Sequence, residues 1–205
     1  MYNIIRLIIG GIILACLCIV IKKSKAIRKR MLYIVSTVLS MVLAIVLMFV
    51  PFENLFVTFD SPKAAYEYYI LGKSNIELIV EGDACDFIVD RKSDVDSILI
   101  IPKTADGWKI GIGLNTKRIV DKLSNGISLS VYQYKDTNDY FLTVFDTNGG
   151  ESTILDENNT EFIPLEERHV DPLGRTFVSY YAHMTDFNPK DVVVVNGNKI
   201  SLGNQ

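Results

Sequence analysis

Two long apolar runs at the start of the chain, interrupted only by cations, constrain this sequence more than any other feature. Residues 1–52 carry seven basic side chains, Arg6, Lys22, Lys23, Lys25, Arg28, Lys29 and Arg30, and no acid. No charge falls between Leu7 and Ile21, and Ile4–Ile21, broken by Arg6, gives about 18 residues, the lower limit for crossing a hydrocarbon core of about 30 Å. Met31–Phe52 contains nothing more polar than Ser36, Thr37 and Ser40, whose hydroxyls can bond back to the carbonyl one turn earlier. The pattern predicts two transmembrane helices, at about 4–21 and 31–52, forming a hairpin. Six cations in the nine residues of loop 22–30 resist translocation, so the loop is expected on the cytoplasmic side and both termini outside. Each cation near an anionic leaflet adds roughly 1 kcal/mol of attraction, which makes the run a topology determinant. Tyr33, Phe49, Phe52 and Phe56 read as interfacial aromatics and Pro51 as the end of the second helix. Ile13-Leu14-Ala15-Cys16 loosely resembles a lipoprotein cleavage box. The apolar run continues through Leu17–Ile21, however, so Cys16 and Cys18 read as small apolar fillers.

Residues 53–205 reverse the balance, with fourteen Lys and Arg against all twenty-four Asp and Glu, a formal −10. That segment is long enough for one domain with its own core. With 13 Gly, 6 Pro and 3 Cys, the composition excludes a collagen-like chain, a disulfide framework and a basic nucleic-acid binder. Ser61-Pro62 before Lys63-Ala64-Ala65-Tyr66 supplies a cap and a first-turn proline, predicting one short helix at about 62–71. Strands are predicted at Ile76–Val80, Asp86–Asp90, Ser97–Pro102, Trp108–Gly113, Ile127–Tyr134, Tyr140–Phe145, Phe177–Ala182, Val192–Val195 and Lys199–Leu202. Ile127, Leu129 and Val131 alternate with Ser128, Ser130 and Tyr132, as a strand with one apolar face requires. Asp106-Gly107, Asn125-Gly126, Asn148-Gly149 and Asn196-Gly197 provide the positive-φ pairs of tight hairpins. Asn115–Leu123 fits a strand or a helical turn equally. Glu151–Asp171 reads as a long exposed connection, with room for a short strand at Glu161–Leu165. The expected fold is thus a membrane-anchored α+β chain: a two-helix hairpin (1–52), then an extracytoplasmic, mainly antiparallel β domain (53–205), a sandwich or rolled sheet.

Chemistry is sparsely signposted. Cys85 could pair with His169 or His183 as nucleophile and base, but Ala84-Cys85-Asp86-Phe87 reads as regular strand, where nothing lowers a thiol pKa. The two histidines lack metal-ligand spacing, and no Cys-x-x-Cys accompanies them. Asp146, Asn148 and Glu157 occupy the first, third and twelfth positions of a calcium-type loop, yet Gly150 and Glu151 spoil the fifth and sixth, and a hairpin turn accounts for the same residues. Glu81, Asp83, Asp86, Asp90, Asp94 and Asp96 read as solvent-facing positions. Tyr66, Tyr68, Tyr69, Tyr180 and Tyr181 read as packing groups, with a recognition surface as the rarer use. No catalytic, cofactor-binding or metal residue is assigned, and no cofactor is expected.

Thr58-Phe59-Asp60-Ser61-Pro62-Lys63-Ala64-Ala65-Tyr66, Ile79-Val80-Glu81-Gly82-Asp83, Ile101-Pro102-Lys103 with Gly107-Trp108-Lys109-Ile110, and Thr137-Asn138-Asp139-Tyr140 together resemble a group of uncharacterised exported or membrane-anchored β-rich proteins of Gram-positive bacteria. The likeness covers most of residues 55–200. It implies an extracytoplasmic β-rich domain after a membrane segment and carries no activity with it. The expected function is a non-enzymatic, membrane-tethered binding or accessory module of the cell envelope, whose partners are the lipid bilayer and another membrane or envelope protein, with no nucleic acid. The alternatives are an immunity or stress-protection protein acting through its helical hairpin, and an envelope hydrolase using scattered carboxylates.

Overall fold

The computed structural model describes residues 2–23, 29–49, 51–70, 72–92, 95–111, 115–170 and 176–203. Two helices, α1 (Tyr2–Lys23) and α2 (Lys29–Phe49), open the chain and pack against each other. They approach closely at Gly10, where an added Cβ would stand 2.9 Å from Cβ of Ala44. Among the described residues, no helix is long and apolar enough to cross a membrane. This finding corrects the predicted transmembrane hairpin. The charge-free run of α1 lies between Arg6 and Lys22 and spans about 22 Å at 1.5 Å per residue. Helix α2 ends at Phe49 rather than Phe52, which leaves about 28 Å of apolar helix, and Pro51 leads into a 3-10 turn at Phe52–Leu55. Both values fall short of the roughly 30 Å of a hydrocarbon core. The interfacial role of Tyr33, Phe49, Phe52 and Phe56, the cytoplasmic loop 22–30 and the cell-membrane, extracytoplasmic placement fall with it. Most of loop 22–30 lies outside the described residues. Both helices expose apolar side chains, among them Ile12, Val20, Ile34, Val38 and Met41.

The remainder is a stack of layers. Helix α3 (Pro62–Ile70) forms where the capping residues predict it, and Oγ of Ser61 accepts the Ala64 N–H at 3.1 Å. It rests on a four-stranded sheet, β1 (Ile76–Glu81), β2 (Cys85–Lys92), β3 (Val95–Thr104) and β4 (Gly107–Trp108), in that spatial order. Next comes a five-stranded sheet, in the order β5 (Thr116–Ser124), β6 (Ile127–Tyr134), β7 (Tyr140–Asp146), β10 (Thr176–Met184), β9 (Ile163–Val170). A small sheet of β12 (Asn198–Ser201), β11 (Val192–Val195) and β8 (Ile154–Asp156) closes the stack. All the strand pairs are antiparallel.

Three apolar layers hold the stack together, and the period-2 alternation of the strands assigns residues to each. On β2, Ile88 faces Ala65, Tyr66, Leu99 and Ile101 beneath α3, whereas Cys85, Phe87 and Val89 face Phe141, Tyr134 and Tyr181 of the five-stranded sheet. The opposite face of that sheet, with Leu129, Val131, Leu142, Val144 and Tyr180, packs on Val193, Val195 and Ile200. The five-stranded sheet is therefore buried on both faces, which explains the near-continuous apolar character of Val178–Ala182. Tyr66, Tyr180 and Tyr181 are buried in these layers, in keeping with the packing role, and Tyr68 is exposed.

Local departures have identifiable causes. Among the described residues, the strand expected at Trp108–Gly113 is reduced to Gly107–Trp108, paired with β3. Beyond it Asn54 takes the place of a neighbouring strand, its Nδ2 donating to O of Ile110 at 3.0 Å and its Oδ1 accepting the Ile110 N–H at 2.8 Å. Ile112 and Gly113 lie outside the described residues. Residues 116–124, open between strand and helical turn, form β5. The acidic segment 151–170 holds more than the short strand expected at 161–165: it supplies β8 and β9, two edge strands whose outer faces tolerate polar residues. Asn125-Gly126 and Asn196-Gly197 make the expected tight turns, all four residues at positive φ. Asn148-Gly149 does not join neighbouring strands, since β7 and β8 belong to different sheets.

Candidate functional site

The group of acids read as solvent-facing divides in two. Glu81 and Asp83 are exposed, but Asp86 and Asp90 are buried at 1% and 0%. Asp94 and the side chain of Asp96 lie outside the described residues. Asp90 accepts the Tyr66 hydroxyl at 2.8 Å and the Asn75 N–H at 2.6 Å, tying α3 and the start of β1 to β2. Burial, reinforced by that carboxylate, pushes the Tyr66 phenol well above its ordinary pKa. Asp86 accepts Nε1–H of Trp108 and, at 3.4 Å, the Gly82 N–H. Burial raises its pKa against the opposing pull of those bonds.

The calcium-type loop resolves as a hydrogen-bond hub. Asp146, 3% exposed at the end of β7, accepts the Asn148 N–H (2.9 Å), Asn148 Nδ2 (2.7 Å), the Ser152 hydroxyl (3.2 Å) and Asn196 Nδ2 (2.9 Å). Its carboxylate is occupied by protein donors and pins the turn after β7 to the β11–β12 turn. Among the described residues, no group of three or more His, Cys, Asp or Glu side chains could hold a metal ion.

The densest constellation gathers on Asp139, in the turn before β7. This carboxylate is 1% exposed and accepts three consecutive backbone N–H groups from the β1–β2 turn: Asp83 at 2.9 Å, Ala84 at 2.6 Å and Cys85 at 3.0 Å. The Cys85 thiol donates to the same oxygen at 3.4 Å, and Nε2 of His183, on β10, lies 2.7 Å from the other oxygen. Gly82 makes room for this wrapping, since a Cβ there would stand 2.5 Å from the carbonyl O of Cys85 and 3.1 Å from Cγ of Asp139. Burial acts to raise the Asp139 pKa, but the N–H groups of Asp83 and Ala84, with His183 and Cys85, outweigh it and hold the carboxyl below its ordinary value. An ionised carboxylate only accepts, so His183 carries a proton on the Nε2 that faces it.

Cys85 and His183 are thus brought together, but with a carboxylate between them. The thiol is fully buried, and burial, with Asp139 adding to it, pushes its pKa up. A protonated, buried thiol is a poor nucleophile. His169 lies on β9, and its side chain is outside the described residues.

His183 also lines a cleft of about 340 Å³ together with Asn158, Thr160, Met184, Thr185 and Asp186. The cleft opens between the end of β10 and the loop after β8. That loop is fixed by Asp156, which accepts the Thr160 N–H at 2.7 Å and the Thr160 hydroxyl. The other wall is held by Phe187, whose ring stacks on Tyr140 at 5.3 Å. Neither Asp139 nor the cleft is signalled by sequence spacing: Asp139 lies 54 residues from Cys85 and 44 from His183. The available signal is an acid directly before an apolar strand, and many turns share it. The chain matches no protein-family model, no curated protein and no solved structure.

Proposed function

We propose that this chain is a non-enzymatic binding or accessory module whose β stack carries the contact with its ligand or partner. The observation that carries this reading is how the side chains with catalytic chemistry are used. Asp139 spends its lone pairs on three backbone N–H groups, a thiol and an imidazole, so it serves to lock the β1–β2 turn of one sheet onto the neighbouring sheet. Cys85 is buried beneath it, and among the described residues no hydroxyl or thiol nucleophile is bonded to His183, as a nucleophile–base pair requires. Asp86, Asp90 and Asp146 are likewise committed to internal donors.

The test incubates the intact protein with a mixed panel of glycans, peptides, amines and esters. Thermal shift reports binding, and mass spectrometry of the recovered compounds reports turnover. The expected result is a raised Tm with at least one class and recovery of every compound unchanged. Catalytic conversion of any panel member that is lost on His183→Ala would overturn the reading.

A further inference from the structure

We propose that the cleft beside His183 is a binding site for a cationic amine head group, either a free alkylammonium or a lysine side chain presented by a peptide. This rests on the binding-module reading above and names its ligand chemistry.

The argument is a count of donors and acceptors around the cleft. Thr160 donates its hydroxyl proton to Asp156, so toward any ligand its oxygen only accepts. His183 commits its Nε2–H to the ionised Asp139, so that proton is not offered to a ligand. Asp186, exposed at the rim, has a carboxylate that accepts and attracts positive charge. Asn158 and Thr185 can each present an oxygen or a donor, and Met184 adds an apolar wall for an alkyl stem. Among the described residues, the lining contains no Lys or Arg. An alkylammonium has three donors and no acceptor, and so complements this set. A carboxylate or phosphate would meet the like charge of Asp186 and the accepting oxygen of Thr160. The −10 formal charge on residues 53–205 adds a longer-range field of the same sign, which draws cations toward the domain. The volume, about 340 Å³, is at the small end of ligand clefts and suits one head group on a short stem.

The experiment titrates the full-length, isotopically labelled protein with three probes while recording amide and side-chain NMR shifts. Cadaverine represents a free amine, acetyl-Gly-Lys-Gly-amide a lysine side chain, and acetyl-Gly-norleucine-Gly-amide the uncharged isostere. Saturable shifts at Thr160, His183, Thr185 and Asp186 are expected with one or both cations and not with the norleucine peptide. The tighter of the two cations identifies the source. Asp186→Asn should weaken binding about tenfold or more, because it removes a charge-assisted hydrogen bond. Asp186→Lys should abolish binding while leaving Tm unchanged, since the position is exposed. Equal binding of the norleucine peptide, undiminished binding by Asp186→Lys, or no saturable shift with either cation would each overturn the proposal. In those cases a ligand found by thermal shift elsewhere on the protein leaves the binding-module reading standing, whereas that reading falls only on turnover.

Discussion

Nε2 of His183 lies 2.7 Å from Oδ1 of Asp139, and through that carboxylate the imidazole on β10 is linked to three backbone N–H groups of the β1–β2 turn. Two sheets are fastened at one buried charge. Its replacement by Asn puts an NH2 group against those donors, so Asp139→Asn should destabilise the fold by about 3–5 kcal/mol, as breaking a buried charged network does. His183→Ala removes one of five partners and should cost about 1–2 kcal/mol. Urea unfolding at neutral pH measures both, and a smaller loss for Asp139→Asn than for His183→Ala would refute the ranking.

The same carboxyl sets an acid limb. Its folded pKa is depressed, so its contribution is fully present above the unfolded value, near 3.9, and disappears as pH falls through the folded value. Stability measured from pH 5 downward should therefore fall more steeply in the parent than in Asp139→Asn. Parallel curves would contradict the depressed value.

Asp86 behaves oppositely. Burial raises its pKa, so its contribution is fully present below the unfolded value near 3.9 and is lost as pH rises through the folded value. At neutral pH the protein carries a buried charge there at a cost. An Asn side chain can still accept Nε1–H of Trp108, so Asp86→Asn should be neutral or stabilising by about 1 kcal/mol at pH 7. Trp108 is the single tryptophan of the chain, and its fluorescence during denaturation follows this site directly. A loss above about 2 kcal/mol would mean that the charge itself is required.

The three cysteines should separate cleanly in a labelling experiment. Cys16 is exposed and Cys18 partly so, whereas Cys85 is buried, with its thiol proton shared with Asp139. Iodoacetamide at pH 8 should modify the first two in the folded protein and Cys85 only after denaturant is added, with mass spectrometry counting the adducts. Prompt labelling of Cys85 in the folded state would show that the Asp139 cluster opens.

What the sequence makes legible is local. The cap at Ser61, the alternation of Ile127, Leu129 and Val131, and the Asn-Gly turns each depend on residues within one turn or one strand of each other, and the structure places helix, core face and turns accordingly. The failures are nonlocal. Asp86 and Asp90 look like surface acids until Trp108, Tyr66 and Asn75, from 15 to 24 residues away, arrive to satisfy them. In the acidic stretch the sequence suggests only a short strand at 161–165; β8 and the rest of β9 are edge strands with few apolar residues to mark them. In α1 and α2 hydropathy identifies apolar helices, yet among the described residues neither is long and apolar enough to cross a membrane.

The last prediction concerns how the helix pair relates to the β stack. Among the described residues, every member of the three apolar layers, from Phe59 to Leu202, comes from the sequence after Pro51, and α1 and α2 contribute none of them. A fragment of residues 51–205 should therefore fold cooperatively, with a thermal midpoint close to that of the β stack in the full chain. Meanwhile α1 and α2 expose Ile8, Ile12, Val20, Ile34, Val38, Leu39, Met41 and Ile45, each at half or more of its full accessible area. Apolar surface of that extent favours association in water. Sedimentation velocity should accordingly find the fragment monomeric, and the full chain associated at the same concentration. If the fragment unfolds without a cooperative transition, the β stack depends on α1 and α2 through contacts outside its apolar layers. If the full chain sediments as a monomer, the exposed apolar faces do not drive association.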